Sequence, residues 1–184
     1  MRIMLLAIIL LPISLPLSAR KISVSTDLIG YASLGTLNAE VSYAISQKWS
    51  VGVGLKYNPF TFNKGQPDKQ FQLRQRSAHL GVRFWPWHTG SGWWFAGKAR
   101  AQEYNWGGIF SRQTEEGIRL GAGLALGYTH MISRHFNIEL GAGLWGGYIS
   151  CKKYSCPVCG MTVDSREGAF VAPDDITVSL VYVF

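Results

Sequence analysis

In the stretch "GIRLGAGLALGYTH" (117–130), Ile118, Leu120, Ala122, Leu124, Leu126 and Tyr128 take every second position. Arg119, Gly121, Gly123, Ala125, Gly127 and Thr129 fill the places between them. A period of two is the signature of a strand, whose successive side chains point to opposite faces. The alternation recurs along the chain and predicts eight strands, at about 21–31, 38–45, 49–57, 76–86, 93–103, 117–130, 136–148 and 174–184. Short connections at 46–48, 87–92 and 133–135 alternate with long ones at 32–37, 58–75, 104–116 and 149–173. Short turns at one end and long loops at the other are the asymmetry of an outer-membrane barrel. The fold class predicted is all-β: an eight-stranded antiparallel up-and-down transmembrane β-barrel, with both termini at the short-turn, periplasmic end.

Between the end residues of these strands, the apolar set carries no Asp, Glu, Lys or Arg. The opposite set holds Glu40, Lys56, Arg83, Lys98, Arg100, Arg119 and Glu139, together with small residues such as Ser42, Gly52, Gly54, Gly81, Gly123 and Gly143. A water-soluble barrel would turn the apolar set inward and show solvent a densely charged face, not a glycine-rich one. In a membrane barrel the apolar set meets lipid, and small and charged residues fill a narrow lumen. Closure then pairs every backbone N–H and C=O and leaves no edge in hydrocarbon. The hairpin around 46–48 is expected to bring Glu40 close to Lys56. The remaining bases outnumber Glu139, so a net basic lumen is expected, with a narrow anion-preferring pore as an alternative role.

Composition fits this reading. The 184 residues include 47% hydrophobic and only 16% charged residues, with 21 Gly and seven Trp. "MRIMLLAIILLPISLPLSAR" has a basic start, a short apolar run and small residues after it, the layout of a secretory signal, with cleavage expected after Ala19. Domain bounds are therefore 1–19 for the signal peptide and 20–184 for the barrel, and the expected location is the cell outer membrane. The formal charge of +7 is spread, not gathered into a stripe, so no nucleic-acid partner is expected. "RQR" (74–76) and "CKK" (151–153) are read as solvated loop charges or contacts to anionic lipid headgroups. Trp49, Trp85, Trp87, Trp93, Trp94, Phe136 and Phe184 fall near the turn end, and Tyr31, Tyr57, Tyr104, Trp106 and Tyr148 near the other, as two interfacial belts would.

The chain ends "ITVSLVYVF". Tyr182 and Phe184 resemble the terminal assembly signal of bacterial outer-membrane barrels, which implies the barrel-insertion machinery and outer-membrane lipid as partners. The run "ISVSTDLIGYASLGTLNAEVSYAISQKWSVGVGLKYNPFTF", with the Cys-bearing loop before the last strand, resembles an uncharacterised family of Bacteroidota outer-membrane β-barrel proteins. More broadly the chain is similar to the OmpA-like transmembrane barrel, without a periplasmic peptidoglycan-binding domain. The resemblance implies a structural or surface-interaction role linked to cell-envelope or fimbrial systems, with a surface or fimbrial protein as partner. It brings no catalytic residue.

Little else carries chemistry. Cys151, Cys156 and Cys159 fall in the longest loop. A structural zinc site wants four ligands, usually as two such pairs, and a redox CxxC wants a helix in a thioredoxin-like unit. The expectation is a loop disulfide with one thiol left over, and three single bridges are open. A lipid-modifying outer-membrane enzyme would need a nucleophile and base at the outer rim. His88, His130 and His135 are expected at the turn end and His79 inside, so no enzyme, no metal and no cofactor is expected.

Overall fold

The computed structural model describes residues 22–64, 69–108, 113–156, 161–174 and 176–184. The expected signal segment and Cys159 lie outside them. The chain forms a barrel from β1 (Ile22–Asp27), β2 (Leu37–Ala44), β3 (Trp49–Asn58), β5 (Phe71–Phe84), β6 (Gly92–Gly107), β7 (Thr114–Met131), β8 (Phe136–Tyr154) and β10 (Thr177–Val183). Each stave is antiparallel to its neighbours, and β10 closes the wall by pairing with both β8 and β1. The eight-stranded antiparallel barrel predicted from the alternation is therefore present.

The ends of the strands depart from expectation. The first strand stops at Asp27, and Leu28–Ala32 form a short helix, α1, in place of strand. Asp27 ends the strand because its carboxylate caps the helix, accepting from the Ile29 N–H at 3.2 Å. At the loop side the strands run on into segments expected to be loop. β5 begins at Phe71, β6 continues to Gly107, and β8 reaches Tyr154. Two further strands appear there. β4 (Thr61–Phe62) pairs with the start of β5, and β9 (Thr162–Pro173) runs beside β8 from Leu144 to Tyr154 before leading into β10. Much of the expected 149–173 loop is thus a hairpin.

The faces separate as the alternation requires. Leu124 is 76% exposed on the outer face, and Val41, Val53, Leu80, Leu120, Leu140 and Leu144 are exposed with it. On β3, outward Trp49 to Tyr57 rise about 3.3 Å per residue, which at a tilt of about 40° makes an apolar band roughly 20 Å tall. The inner face is buried, and its glycines admit larger neighbours. A Cβ on Gly54 would lie 2.2 Å from the His79 ring, and one on Gly127 would lie 2.3 Å from the Trp94 indole.

The aromatic belts are corrected in part. Trp93 is 52% exposed, and Trp49, Trp87, Tyr57 and Tyr148 also point outward. Trp94, only 2% exposed, packs inside with Trp85, Ala96 and Ala125, and Tyr104 is buried with Ile149 and Cys151. Both Trp94 and Tyr104 hold inward places in the alternation of β6, so position along the strand misassigned them and parity does not.

Candidate functional site

The charged interior is assembled from opposite staves. Arg83 of β5 donates to Glu40 of β2 and, at 3.0 Å, to Glu139 of β8. His79, one inward step from Gly81 and two from Arg83, holds the other oxygen of Glu40 at 3.0 Å. Thr129 adds a hydrogen bond to Glu139 at 3.1 Å, and the Arg83 guanidinium lies 4.9 Å from the Trp94 ring. Bidentate use of one arginine by two carboxylates suits a buried site, where each lone pair needs a donor.

A second cluster lies nearer the loops. Arg100 donates to Asp174 at 2.7 Å and sits over Trp145, 4.9 Å from its centroid. Lys98 reaches the other oxygen of Asp174 at 3.7 Å. Lys56 pairs with Asp27 at 3.8 Å, while the free oxygen of Asp27 caps α1 and accepts from Val178 N–H of β10 at 3.1 Å. Arg119 lies 3.8 Å from Glu115 and over the rings of Tyr104 and Trp106, at 4.3 and 5.0 Å.

Every expected lumen charge, Glu40, Lys56, Arg83, Lys98, Arg100, Arg119 and Glu139, faces inward, but two details change. Glu40 stands opposite Gly54 and Lys56 opposite Asn38, and the partners of Glu40 are Arg83 and His79. Glu115 beside Arg119 offsets part of the expected basic excess, and the rest is offset by Asp27 and Asp174. Parity does not single them out, because Asp27 closes a strand as a helix cap and Asp174, at the start of the 174–184 run, shares the parity of its apolar set but sits in the break between β9 and β10.

Between the clusters the interior leaves a cavity of only about 50 Å³, bordered by Glu40, Lys56, His79, Arg83, Lys98 and Asp174. A vestibule of about 330 Å³ opens at the turn end and stops at Arg83 and Glu139. An ionic plug thus crosses the barrel.

The loop side differs. Cys151 is not in a loop; it is a free thiol buried on the inner face of β8, while Cys156 is disulfide-bonded. β9 pairs on one side only, among the described residues, so its other edge is open. On the outward face, the rows above the apolar band are polar except for Ile118: Arg76, Glu103, Ile118 and Ser150 align across β5 to β8, and above them Arg74, Asn105, Glu116 and Lys152. Glu116 accepts from Tyr154 at 2.5 Å, and that bond holds the phenol pKa above its ordinary value. No cluster of His, Cys, Asp and Glu suited to a metal ion occurs among the described residues.

A family model described as "Protein of unknown function (DUF3575)" matches residues 4–184. The chain belongs to the DUF3575 family. Nothing among curated proteins and nothing among solved structures matches it. DUF3575 membership lends this chain no ligand and no residue role, and the site rests on its own geometry.

Proposed function

We propose that this protein is an outer-membrane barrel that holds an interaction surface at the cell exterior. The observation that carries the reading is the inversion of its faces. Large apolar side chains cover the outside, and the charged ones inside are matched in pairs. In water, so extensive an exposed apolar surface would drive aggregation, since soluble monomers rarely expose patches beyond about 300–600 Å². In a bilayer the same face is solvated by lipid. The C-terminal Tyr182 and Phe184, in edge-to-face contact at 4.9 Å on the outer face, would serve as the assembly signal.

The surface role rests on the loop side. The β8–β9 hairpin projects a strand with an open edge, and such an edge offers main-chain hydrogen bonds to an extended segment of another protein. A surface or fimbrial protein of the envelope is the proposed class of partner, and the likeness to OmpA-like barrels belongs to this proposal. A pore is not the reading favoured, because the Arg83–Glu40–Glu139 pairs cross the interior and the cavity beside them holds only about 50 Å³. A catalytic role is not proposed.

Labelling with a membrane-impermeant maleimide on intact cells tests the placement. Cysteine at Ser165 of β9 should react at once, and cysteine at Ser46 of the first turn only after the outer membrane is permeabilised. Equal reactivity, or recovery of the protein in the soluble fraction, would contradict it.

A further inference from the structure

The interior cations each face a carboxylate. On the outward face, Arg74, Arg76 and Lys152 have no ion pair among the described residues. They line a groove of about 490 Å³ with Tyr57, Glu103, Asn105, Glu116, Ile118 and Ser150. That volume lies within the range of about 300–1,000 Å³ common to small-molecule sites. The Arg76 guanidinium rests 5.8 Å from the Tyr57 ring, which orients it. Asn105 and Tyr154 both donate to Glu116, at 3.1 and 2.5 Å, and fix that carboxylate. Three cations suit phosphate oxygens, to which arginine offers paired N–H donors. The two carboxylates would repel a simple phosphate but accept hydrogen bonds from sugar hydroxyls.

Directly below the groove the outer face of β6 offers only Gly97, Ala99 and Ala101. Leu80 and Val82 of β5 stand on one side, and Leu120 and Leu124 of β7 on the other. A Cβ added at Gly97 would meet nothing within 4 Å, so this furrow is open. Its walls are two strand spacings apart, about 10 Å, wide enough for an acyl chain.

We propose that the groove and furrow together bind one phosphorylated glycolipid. Its phosphates lie against Arg74, Arg76 and Lys152, its sugar hydroxyls against Glu103 and Glu116, and an acyl chain along Gly97–Ala99–Ala101. The inference rests on the membrane placement above and names the lipid class that this face selects.

The test uses the full mature chain in phosphatidylcholine vesicles that contain a minor fraction of a bisphosphorylated glucosamine-disaccharide lipid. Parallel vesicles contain the same lipid stripped of phosphate, or phosphatidylglycerol. After detergent extraction, lipid retained per protein is counted by mass spectrometry. The wild-type barrel should retain the bisphosphorylated glycolipid about tenfold over either comparator, a difference of about 1.4 kcal/mol. R74Q/R76Q/K152Q should bring the ratio to about one, and A99L, which fills the furrow, should lower it while leaving the barrel folded. If the triple variant fails to fold, R74Q and K152Q on separate strands, and the wild type in high salt, should each reduce retention. Equal retention of the dephosphorylated lipid or of phosphatidylglycerol overturns the proposal, as does an unchanged ratio in the variants. Failure of the chain to enter any vesicle sinks the membrane placement itself; entry without selectivity sinks only the glycolipid.

Discussion

In the turn-side half of the wall every strand has two neighbours, because Thr177–Tyr182 of β10 close onto Phe136–Gly141 of β8. In the loop-side half β9 lies against Leu144–Tyr154 of β8 and has no second partner among the described residues. The two halves differ in what can satisfy a backbone N–H. In hydrocarbon only another strand can do so, and an unpaired group costs several kcal/mol. β9 starts level with the band, at Pro173 opposite Leu144, and runs past it toward Thr162, where water can serve and an open edge becomes useful. The inner faces differ likewise. Near the turns, carboxylates converge on one arginine; near the loops, aromatic rings and a free thiol fill the space around Arg119.

The largest expected effect breaks the closed half. Arg83→Ala leaves Glu40 and Glu139 buried without their cation and should lower stability by about 3–5 kcal/mol, read from urea unfolding in vesicles. A loss under about 1 kcal/mol would mean that the plug is not a structural element. Next, Leu124→Arg puts a charge into the middle of the apolar face and should destabilise the inserted barrel by about 2–4 kcal/mol. The same change at Val163, exposed at the far end of β9, should stay within about 0.5 kcal/mol. Similar costs at both sites would erase the distinction between the halves.

Hydrogen exchange sharpens the comparison without a substitution. Amides of β7 should be protected along the band, while in β9 every second amide, the set pointing to the open edge, should exchange fast. Uniform protection of β9 in purified protein would show that its edge is covered. The smallest effect concerns Tyr154. Its pKa is raised in the folded state by the bond to Glu116, so any stabilisation is complete below the unfolded value, near about 10, and is lost as pH rises through the folded value. Spectrophotometric titration of Glu116→Gln should move this phenol back toward an ordinary tyrosine; an unchanged curve would mean that the bond is not formed.

Alternation made the staves and their faces legible because one face of each is apolar. Legibility stopped where both faces turn polar. Around Arg74–Arg76, Glu115–Glu116 and Lys152–Tyr154 the backbone continues in register, but the period-two contrast in hydrophobicity is gone, so these segments read as loops. β9 was hidden for the same reason, with Asp164, Ser165, Arg166 and Glu167 in one run. Which charges would face inward could be read from parity. Their partners could not, since Arg83–Glu139 and Arg100–Asp174 join residues distant in sequence across the lumen. Asp27 shows a different limit: one side chain ends a strand, caps a helix and holds Lys56, and only the cap has a local sequence signal.

The central claim is that the outer face touches acyl chains and the inner face does not, and the neighbours Trp93 and Trp94 of β6 test it most directly. They are 52% and 2% exposed and point to opposite faces. Single-tryptophan variants keeping one or the other, placed in vesicles of brominated phosphatidylcholine, should show strong fluorescence quenching of Trp93 and little of Trp94. Quenching of Trp94 with Trp93 spared, or no quenching of either, would contradict the account.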